Sequence, residues 1–97
     1  LLSNDLLNMP TKYAINGAFP NPFNPLTTIK YAVPEISNVA LSVVDINGRE
    51  IDLLVNKIHG VGYYEVTWNA ENIPAGAYIL VMTTKDSNET YKVMLLK

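Results

Sequence analysis

The sequence predicts an all-β domain, an antiparallel β-sandwich of about seven strands. Apolar and polar residues alternate with a period of two in several short stretches beyond residue 26. Turn-forming residues separate these stretches at regular spacing, and no stretch beyond Pro25 carries a sustained helical period. Short alternating strands joined by frequent turns are typical of a sandwich.

Composition restricts the classes of function that the chain can have. Its 97 residues allow one domain, and 48% hydrophobic with 16% charged residues is a globular composition. The net charge of −2 argues against nucleic-acid binding. The absence of cysteine excludes disulfides, zinc–thiolate sites and thiol nucleophiles. No apolar run approaches the roughly 20 residues of a membrane span.

Residues 1–18 are predicted to be a linker or lead-in, and residues 19–97 the sandwich. The four leucines of the lead-in have a weak helical spacing that Pro10 ends. Residues 13–15 can form a short strand before Asn16-Gly17, which is a turn signal. The start of the chain lacks an initiator methionine and the features of a signal peptide, so a fragment from the end of a longer protein is expected.

The strands follow one another between predicted turns. Asn47-Gly48 predicts a type I′ hairpin turn, and the stretches 56–62 and 69–76 are predicted loops. One strand, AYILVMTT, is apolar on both faces, as in the middle of a sheet. The six predicted strands are TTIKYAV (27–33), VALSVVDI (39–46), REIDLLV (49–55), YYEVTW (63–68), AYILVMTT (77–84) and TYKVMLLK (90–97).

Alternation along these strands predicts the residues that face the core, where each large apolar side chain contributes about 1.5–3 kcal/mol. They are Ile29, Tyr31, Val33, Val39, Leu41, Val43, Ile51, Leu53, Tyr64, Val66, Trp68, Tyr78, Leu80 and Val93.

The stretch FPNPFNP, residues 19–25, is predicted to be a rigid segment that folds back on the sandwich. Its three prolines fix φ and remove backbone donors, so it cannot join a sheet as an ordinary strand. Phe19 and Phe23 are expected to pack against the sandwich, and Asn21 and Asn24 to bond nearby backbone. Whether one of the Xaa-Pro bonds is cis stays open at this point. We expect no ligand to need this segment.

Catalytic residues are not predicted. The single histidine, His59, lies in a predicted glycine-bracketed loop, and a triad with Ser37, Ser42 or Ser87 is only formally possible. No serine has a nucleophile-elbow motif around it. A solvated loop histidine is the expected outcome, and the chain is predicted not to be an enzyme.

No metal or cofactor site is predicted. Asp45, Asn47, Asn69, Glu71 and Asp86 lie in predicted turns and offer oxygen ligands, but no run matches a calcium loop. The first two are expected to shape the hairpin turn by bonding its backbone. Whether one of these turns binds calcium weakly is not decided by the sequence. No glycine motif that binds phosphate is present.

Two acidic and two aromatic positions have simple structural explanations. Glu50 and Asp52 are predicted to lie on a solvated outer face, rather than to pair across a cleft. Tyr63 is predicted to point outwards, where it can stack on a sugar or a partner protein, and Trp68 to lie in the core.

Motifs in order along residues 13–97 resemble the type A C-terminal sorting domain of bacterial type IX secretion. They comprise PNPFNP, a Thr-x-Ile-x-Tyr type strand, an Asp-x-x-Gly-Arg turn, Gly-x-x-x-Val-x-Trp, Gly-x-Tyr and a terminal Lys-x-x-x-Leu-x-Lys pattern. The signature and recognition residues that the resemblance implies are Pro20, Asn21, Pro22, Phe23, Asn24, Pro25, Gly48, Arg49, Gly76, Tyr78, Lys92, Val93, Met94, Leu95, Leu96 and Lys97.

The resemblance implies an immunoglobulin-like sandwich at the C-terminus of an exported cargo protein in a Gram-negative bacterium. It implies recognition by outer-membrane translocation machinery, removal by a sortase-like peptidase and delivery through the periplasm to the cell surface or medium, often with attachment to lipopolysaccharide. Cleavage is expected within residues 1–18. The last strand can offer its backbone to a partner by strand addition, or it can simply complete the sandwich with its lysines protecting the edge, and the two are compatible.

An alternative function is an immunoglobulin-like accessory module, which binds a glycan or a protein or acts as a spacer on a secreted enzyme. Fold alone does not decide between these functions. A row of exposed aromatic residues on one sheet would favour the accessory module.

Overall fold

The computed structural model of the chain describes residues 8–97, so all four leucines behind the weak helical spacing of the lead-in lie outside the described residues. Seven strands make up the domain, and among the described residues no helix is long and apolar enough to cross a membrane. The strands are β1 (Ala14–Phe19), β2 (Leu26–Val33), β3 (Ser37–Val44), β4 (Glu50–His59), β5 (Gly62–Asn69), β6 (Gly76–Thr83) and β7 (Asn88–Leu95).

The strands form two antiparallel sheets, which confirms the predicted all-β sandwich of about seven strands. The first sheet has the order β1-β2-β5 and the second the order β4-β3-β6-β7. In a constant-type immunoglobulin domain the fourth strand pairs with the fifth. Here β4 pairs with β3 instead, so the sheet that contains β1 has three strands and the sheet that contains β7 has four.

The core lies between the two sheets, and most of the predicted inward residues are in it. Ile51, Tyr64 and Val66 are only partly buried, and Leu53 is 47% exposed, so its predicted inward position is wrong. Phe23, Val55, Met82 and Leu95 join the core as well. The predicted residues that are buried are Ile29, Tyr31, Val33, Val39, Leu41, Val43, Trp68, Tyr78, Leu80 and Val93.

Two β-bulges in β4 explain why Leu53 points outwards. Leu41 pairs with Val55 but the next residue of β3 pairs with Leu53, which leaves Leu54 as an extra residue. Ile51 is a second extra residue, because Val43 pairs with Asp52 but the next residue of β3, Val44, pairs with Glu50. Each bulge shifts the alternation of side chains by one residue, so a strict period of two fails in β4.

The same bulges move Asp52 out of its predicted solvated position. Its Oδ2 accepts a hydrogen bond of 3.2 Å from Trp68 Nε1, which satisfies the one polar atom of the buried indole. Glu50, in contrast, is exposed as predicted.

The Asn16-Gly17 turn signal is wrong, because both residues lie inside β1. Ile15 pairs with Tyr31 and Gly17 with Lys30, so Asn16 is the extra residue of a bulge. Gly17 has a φ of 135°, and a Cβ there would approach the Phe19 ring to 2.7 Å. The conformation and the close ring together require glycine.

The β3–β4 turn is a hairpin, but it is not type I′. Gly48 has a φ of 82°, whereas Asn47 has no positive φ, and type I′ requires positive φ at both positions. Gly48 N–H donates to the Asp45 carbonyl over 3.0 Å, and Asp45 N–H donates to the Arg49 carbonyl over 3.0 Å. A turn followed by a left-handed glycine is the other common way to close a hairpin.

Because successive strands run in opposite directions, the connections collect at two ends of the sandwich. We call them the lead-in pole and the signature pole. The lead-in pole comprises residues 10–13, 34–36, 60–61 and 84–87. The signature pole comprises residues 20–25, 45–49, 70–75 and the end of the chain from residue 92.

Candidate recognition surface

The proline-rich segment binds along the free edge of β7. The Asn21 amide donates from Nδ2 to the Lys92 carbonyl over 3.1 Å, and its Oδ1 accepts from Met94 N–H over 3.0 Å. Phe23 N–H donates to the Met94 carbonyl over 2.9 Å, and Leu96 N–H donates to the Phe23 carbonyl over 2.9 Å. Residues 21–23 therefore extend the four-stranded sheet by one short parallel segment.

This segment is anchored by Phe23, which is 2% exposed and lies 5.4 Å from the Trp68 ring. The Trp68 ring in turn meets Tyr78 at 5.7 Å. Phe19 differs, since it is 55% exposed and lies under Lys30 Nζ at 5.6 Å. The prediction that both phenylalanines pack against the core is therefore confirmed for Phe23 and wrong for Phe19.

The peptide bonds before the three prolines of this segment are all cis, which answers the question that the sequence left open. Thr27 Oγ1 donates to the Pro20 carbonyl over 2.7 Å. Asn21 bonds backbone that is more than 70 residues away rather than nearby backbone, contrary to prediction. Asn24 makes no side-chain hydrogen bond to the described residues.

Tyr78 holds the β5–β6 connection in place. Its hydroxyl donates to the carbonyl of Pro74, four residues upstream in the connection that precedes β6. This arrangement matches the tyrosine corner of immunoglobulin-like folds. Two other parts of the chain also bond this connection, since Lys97 Nζ donates to the Glu71 carbonyl over 2.8 Å and Ala70 N–H donates to the Pro25 carbonyl over 2.9 Å. The end of the chain, the proline-rich segment and the β5–β6 connection are thus joined at this pole.

The β3–β4 turn adds an exposed cation to the pole. The Arg49 side chain is 78% exposed and pairs with Asp45 through Nε at 3.3 Å, a contact of little energetic value at the surface. Asp45 Oδ1 accepts from the backbone N–H groups of Arg49 at 3.0 Å and Asn47 at 2.9 Å. These bonds, that of Arg49 foremost, lower the pKa of the Asp45 carboxyl.

Asp45 and Asn47 therefore shape the turn as predicted, and the Asp45 carboxylate is already occupied by donors. No group of three or more acidic, histidine or cysteine side chains that could hold a metal ion occurs within residues 8–97.

All the signature residues lie at or next to the signature pole, although the sequence separates them widely. Four of them, Phe23, Tyr78, Val93 and Leu95, are buried and belong to the core. The exposed ones are Pro20, Asn21, Pro22, Asn24, Gly48, Arg49, Lys92, Leu96 and Lys97. Pro25, Gly76 and Met94 are half-buried.

The edge of β7 is only partly available to a partner. The pairing of β6 with β7 leaves the backbone of alternate residues pointing outwards, and residues 21–23 already bind that of Lys92, Met94 and Leu96. Strand addition at the end of β7 would require Phe23 to leave the core. The open part of this edge is residues 88–91.

His59 was expected to be a solvated loop residue, and this is wrong. β4 continues to His59, whose side chain is only 7% exposed. The Nε2 atom of the imidazole ring forms a hydrogen bond of 2.8 Å with Tyr31 Oη. The ring also stacks on Tyr64 at 3.9 Å. Burial, with a smaller effect of Lys57, lowers the pKa of the imidazole.

His59 does not take part in a catalytic triad among the described residues. Ser37 pairs with it in register, but the Ser37 hydroxyl donates to the Glu35 carbonyl and accepts from Tyr13 Oη. The nitrogen Nε2 of His59 is engaged by Tyr31. Alternation alone did not indicate a buried histidine, because the predicted strand stopped at residue 55.

The outer face of the three-stranded sheet carries two exposed aromatic rings. Tyr63 is 61% exposed, as predicted, and Phe19 is 55% exposed. They lie on the two edge strands, with Lys30 on the strand between them, and do not form a row along one strand.

Comparison with known proteins supplies one match. The family model described as "Secretion system C-terminal sorting domain" matches residues 17–96. No curated protein and no solved structure matches the chain.

Proposed function

The chain belongs to the family of secretion system C-terminal sorting domains, and we propose that its signature pole is the surface that outer-membrane translocation machinery recognises. The domain carries a cargo on its N-terminal side and directs that cargo to the cell surface or medium of a Gram-negative bacterium. The observation that supports this most strongly is the convergence of scattered signature residues on one end of the sandwich.

Exposure separates the structural part of the signature from the part proposed for recognition. Phe23 and Tyr78 fill the core or close a corner, so packing is sufficient to explain them. Packing does not explain Arg49, Lys92 and Lys97, because all three side chains are exposed at the same pole. Their positive charges, together with the rigid proline-rich segment, form a surface that a partner protein with acidic side chains can bind.

The cargo would join the domain at the opposite end. Tyr13 Oη donates to Ser37 Oγ over 3.0 Å at the lead-in pole, and β1 begins at Ala14. An eight-residue strand such as β2 spans about 26 Å. A folded cargo therefore leaves the signature pole uncovered while the domain is attached.

We further propose that the sortase-like peptidase cuts N-terminal to Ala14. Residues 14–19 are hydrogen-bonded to β2, whereas a peptidase needs an extended, unpaired chain in its active site. Mass spectrometry of the secreted cargo should place its new C-terminus before residue 14. A terminus within β1 would contradict this position.

A secretion assay tests the recognition proposal. The full chain is fused behind a periplasm-directed reporter in a bacterium with type IX secretion, and the reporter is measured in the medium, on the surface and in the periplasm. We expect the fusion to leave the periplasm. The double variant Lys92→Glu/Lys97→Glu should be retained there, because it reverses two exposed charges at the signature pole.

The matched control is Lys12→Glu/Lys85→Glu, which makes the same change of net charge at the lead-in pole and should be secreted normally. Equal secretion of the two double variants would contradict recognition through the signature pole. Retention of the unmodified fusion in the periplasm would contradict the sorting function. If the chain then bound a glycan affinity gel, the accessory module would be favoured.

A further inference from the structure

The two long sides of the sandwich differ in how they are closed. On one side, β1 lies beside β7, and residues 21–23 fill the gap with Phe23 inserted between the sheets. On the other side, β4 and β5 lie next to each other without pairing. A groove of about 560 Å³ runs between them. We call it the β4–β5 groove.

The backbone along one wall of this groove is free. Ala70 N–H donates to the Pro25 carbonyl, which makes these two residues a hydrogen-bonded pair. Every second pair along the register of β2 and β5 is then also hydrogen-bonded, namely Thr27–Trp68 and Ile29–Val66. In an antiparallel ladder, residues alternate between bonding the partner strand and pointing away from it. The N–H and C=O groups of Tyr63, Glu65 and Thr67 therefore point away from β2. Within residues 8–97 they have no hydrogen-bond partner on that side.

The other sheet edges have features that hinder strand pairing, and β5 has none of them. β1 has a bulge at Asn16, and β4 has two bulges. The end of β7 is covered by residues 21–23. β5 pairs with β2 over all eight of its residues without a bulge or a proline. Natural sheets protect exposed edges with bulges, prolines or covering segments, so the unprotected edge of β5 is a template on which another extended strand can pair.

Much of the groove floor is apolar and aromatic, with Leu54, Val66 and the rings of Tyr31 and Tyr64, of which only Tyr31 is fully buried. Polar side chains complete the lining of the groove, namely Asn56, Lys57, His59 and Glu65. The polar atoms of the two tyrosines are already paired, since Tyr64 Oη donates to the Gly60 carbonyl over 2.8 Å and Tyr31 Oη bonds His59. No buried side-chain polar atom among the described residues lacks a partner. Such a floor suits an apolar side chain rather than a sugar hydroxyl or a cation.

We propose that the β4–β5 groove is a docking site for an extended peptide strand of another protein. The strand hydrogen-bonds the free edge of β5 and places a large apolar side chain on Tyr64 and Val66. The opposite side of the same sandwich already has this kind of contact within the chain. There, residues 21–23 hydrogen-bond the edge of β7 and insert the Phe23 side chain between the sheets. Lys57 and Glu65 at the rim carry opposite charges, so the groove does not require a charged peptide.

This site is separate from the signature pole, so it stands or falls independently of the proposed sorting function. A phage-displayed library of short random peptides is selected on the immobilised full chain, and the enriched peptide is synthesised. We expect enriched sequences to alternate apolar and polar residues. In the unmodified protein, the peptide should slow hydrogen exchange of the Tyr63, Glu65 and Thr67 amides and leave that of Met94 unchanged.

The variant Glu65→Pro removes one outward N–H without removing a bond to β2, since proline is tolerated on a free edge. It should weaken peptide binding by about tenfold or more. Glu65→Ala removes the same charge but keeps the N–H group, and should change the Kd by no more than about twofold. The exchange measurement on the unmodified protein decides the matter if Glu65→Pro does not fold.

Failure to enrich any alternating peptide would overturn the proposal, as would protection of amides elsewhere or equal weakening by both variants. If the free chain dimerises through β5, as shown by sedimentation and by loss of the dimer in Glu65→Pro, the occupant is a second copy and the proposal for another protein is wrong.

Discussion

His59 shows how one buried titratable side chain links this fold to pH. It is held between Tyr31 and Tyr64, and its burial there disfavours the charged ring and lowers the pKa of the imidazole. Lys57 adds a like charge if the ring is protonated. Since the pKa of His59 is lowered in the folded protein, the unfolded chain binds a proton at a higher pH than the folded chain does.

The folded protein should therefore lose stability as the pH falls below about 6.5, the usual histidine pKa, towards the lowered pKa of His59. Above that value both states are neutral and the imidazole adds no pH dependence. Urea unfolding at about pH 7.5 and about pH 5.5 measures the change. The chain has one histidine, so His59→Phe should unfold with nearly the same midpoint at both values. An undiminished pH dependence in this variant would refute the role of His59.

At the scale of elements, the proline-rich segment serves both as the β1–β2 connection and as an added strand. Its prolines cannot donate backbone hydrogen bonds, so the Asn21 side chain and the Phe23 backbone make the contacts with β7. Asn21 presents a donor and an acceptor together, as a peptide group does. Phe23 keeps this connection in place because it is buried against Trp68.

The two phenylalanines of this segment provide a matched pair of substitutions. Phe23→Ala should lower the free energy of unfolding by about 3–5 kcal/mol, because it leaves a cavity in the core. Phe19→Ala removes the same atoms from an exposed position and should cost less than about 1 kcal/mol. Urea denaturation compares the two, and Phe23→Leu serves as a milder variant if Phe23→Ala does not fold. Similar losses from Phe19 and Phe23 would mean that the segment is not anchored by Phe23.

At the scale of the whole molecule, antiparallel topology separates the proposed functions in space. Every second connection lies at the same pole, so the lead-in and the signature residues fall at opposite ends of the strands. The β4–β5 groove lies along one side between these ends. Recognition, attachment of the cargo and strand docking can thus occur on different surfaces of a single small domain.

Two exposed isoleucines test this separation. Ile46 lies in the β3–β4 turn at the signature pole and is 75% exposed, and Ile36 lies at the lead-in pole and is 73% exposed. Ile46→Glu should reduce secretion of a reporter fusion, whereas Ile36→Glu should leave it unchanged. Thermal unfolding of both variants should be close to that of the unmodified chain, because neither side chain is buried. If only Ile36→Glu reduced secretion, recognition would lie at the lead-in pole, and the proposed role of the signature pole would be wrong.

Much of the local structure could be predicted from the sequence. The positions of β2, β3, β5, β6 and β7, most of the core and the family resemblance follow from alternation and from short motifs. β4 was predicted too short, and β1 was mistaken in part for a turn. In β1 the cause is a bulge, which adds one residue without a distinctive residue pattern and reverses the side-chain alternation after it. The end of β4 was missed for another reason, because residues 56–59 are mostly polar and precede Gly60, so they were assigned to a loop although they pair regularly with β3.

The sequence by itself determined the fold class and the family, because a period of two and ordered turn motifs are local properties of the chain. Only the tertiary structure decided how distant segments meet. It brought Asn21 to Met94, Trp68 to Asp52 and His59 to Tyr31, and it left the edge of β5 free. The physical reason is that backbone donors and acceptors are identical along the chain. Which of them remain unpaired depends on sheet order and register, and these are set by packing between residues far apart in sequence.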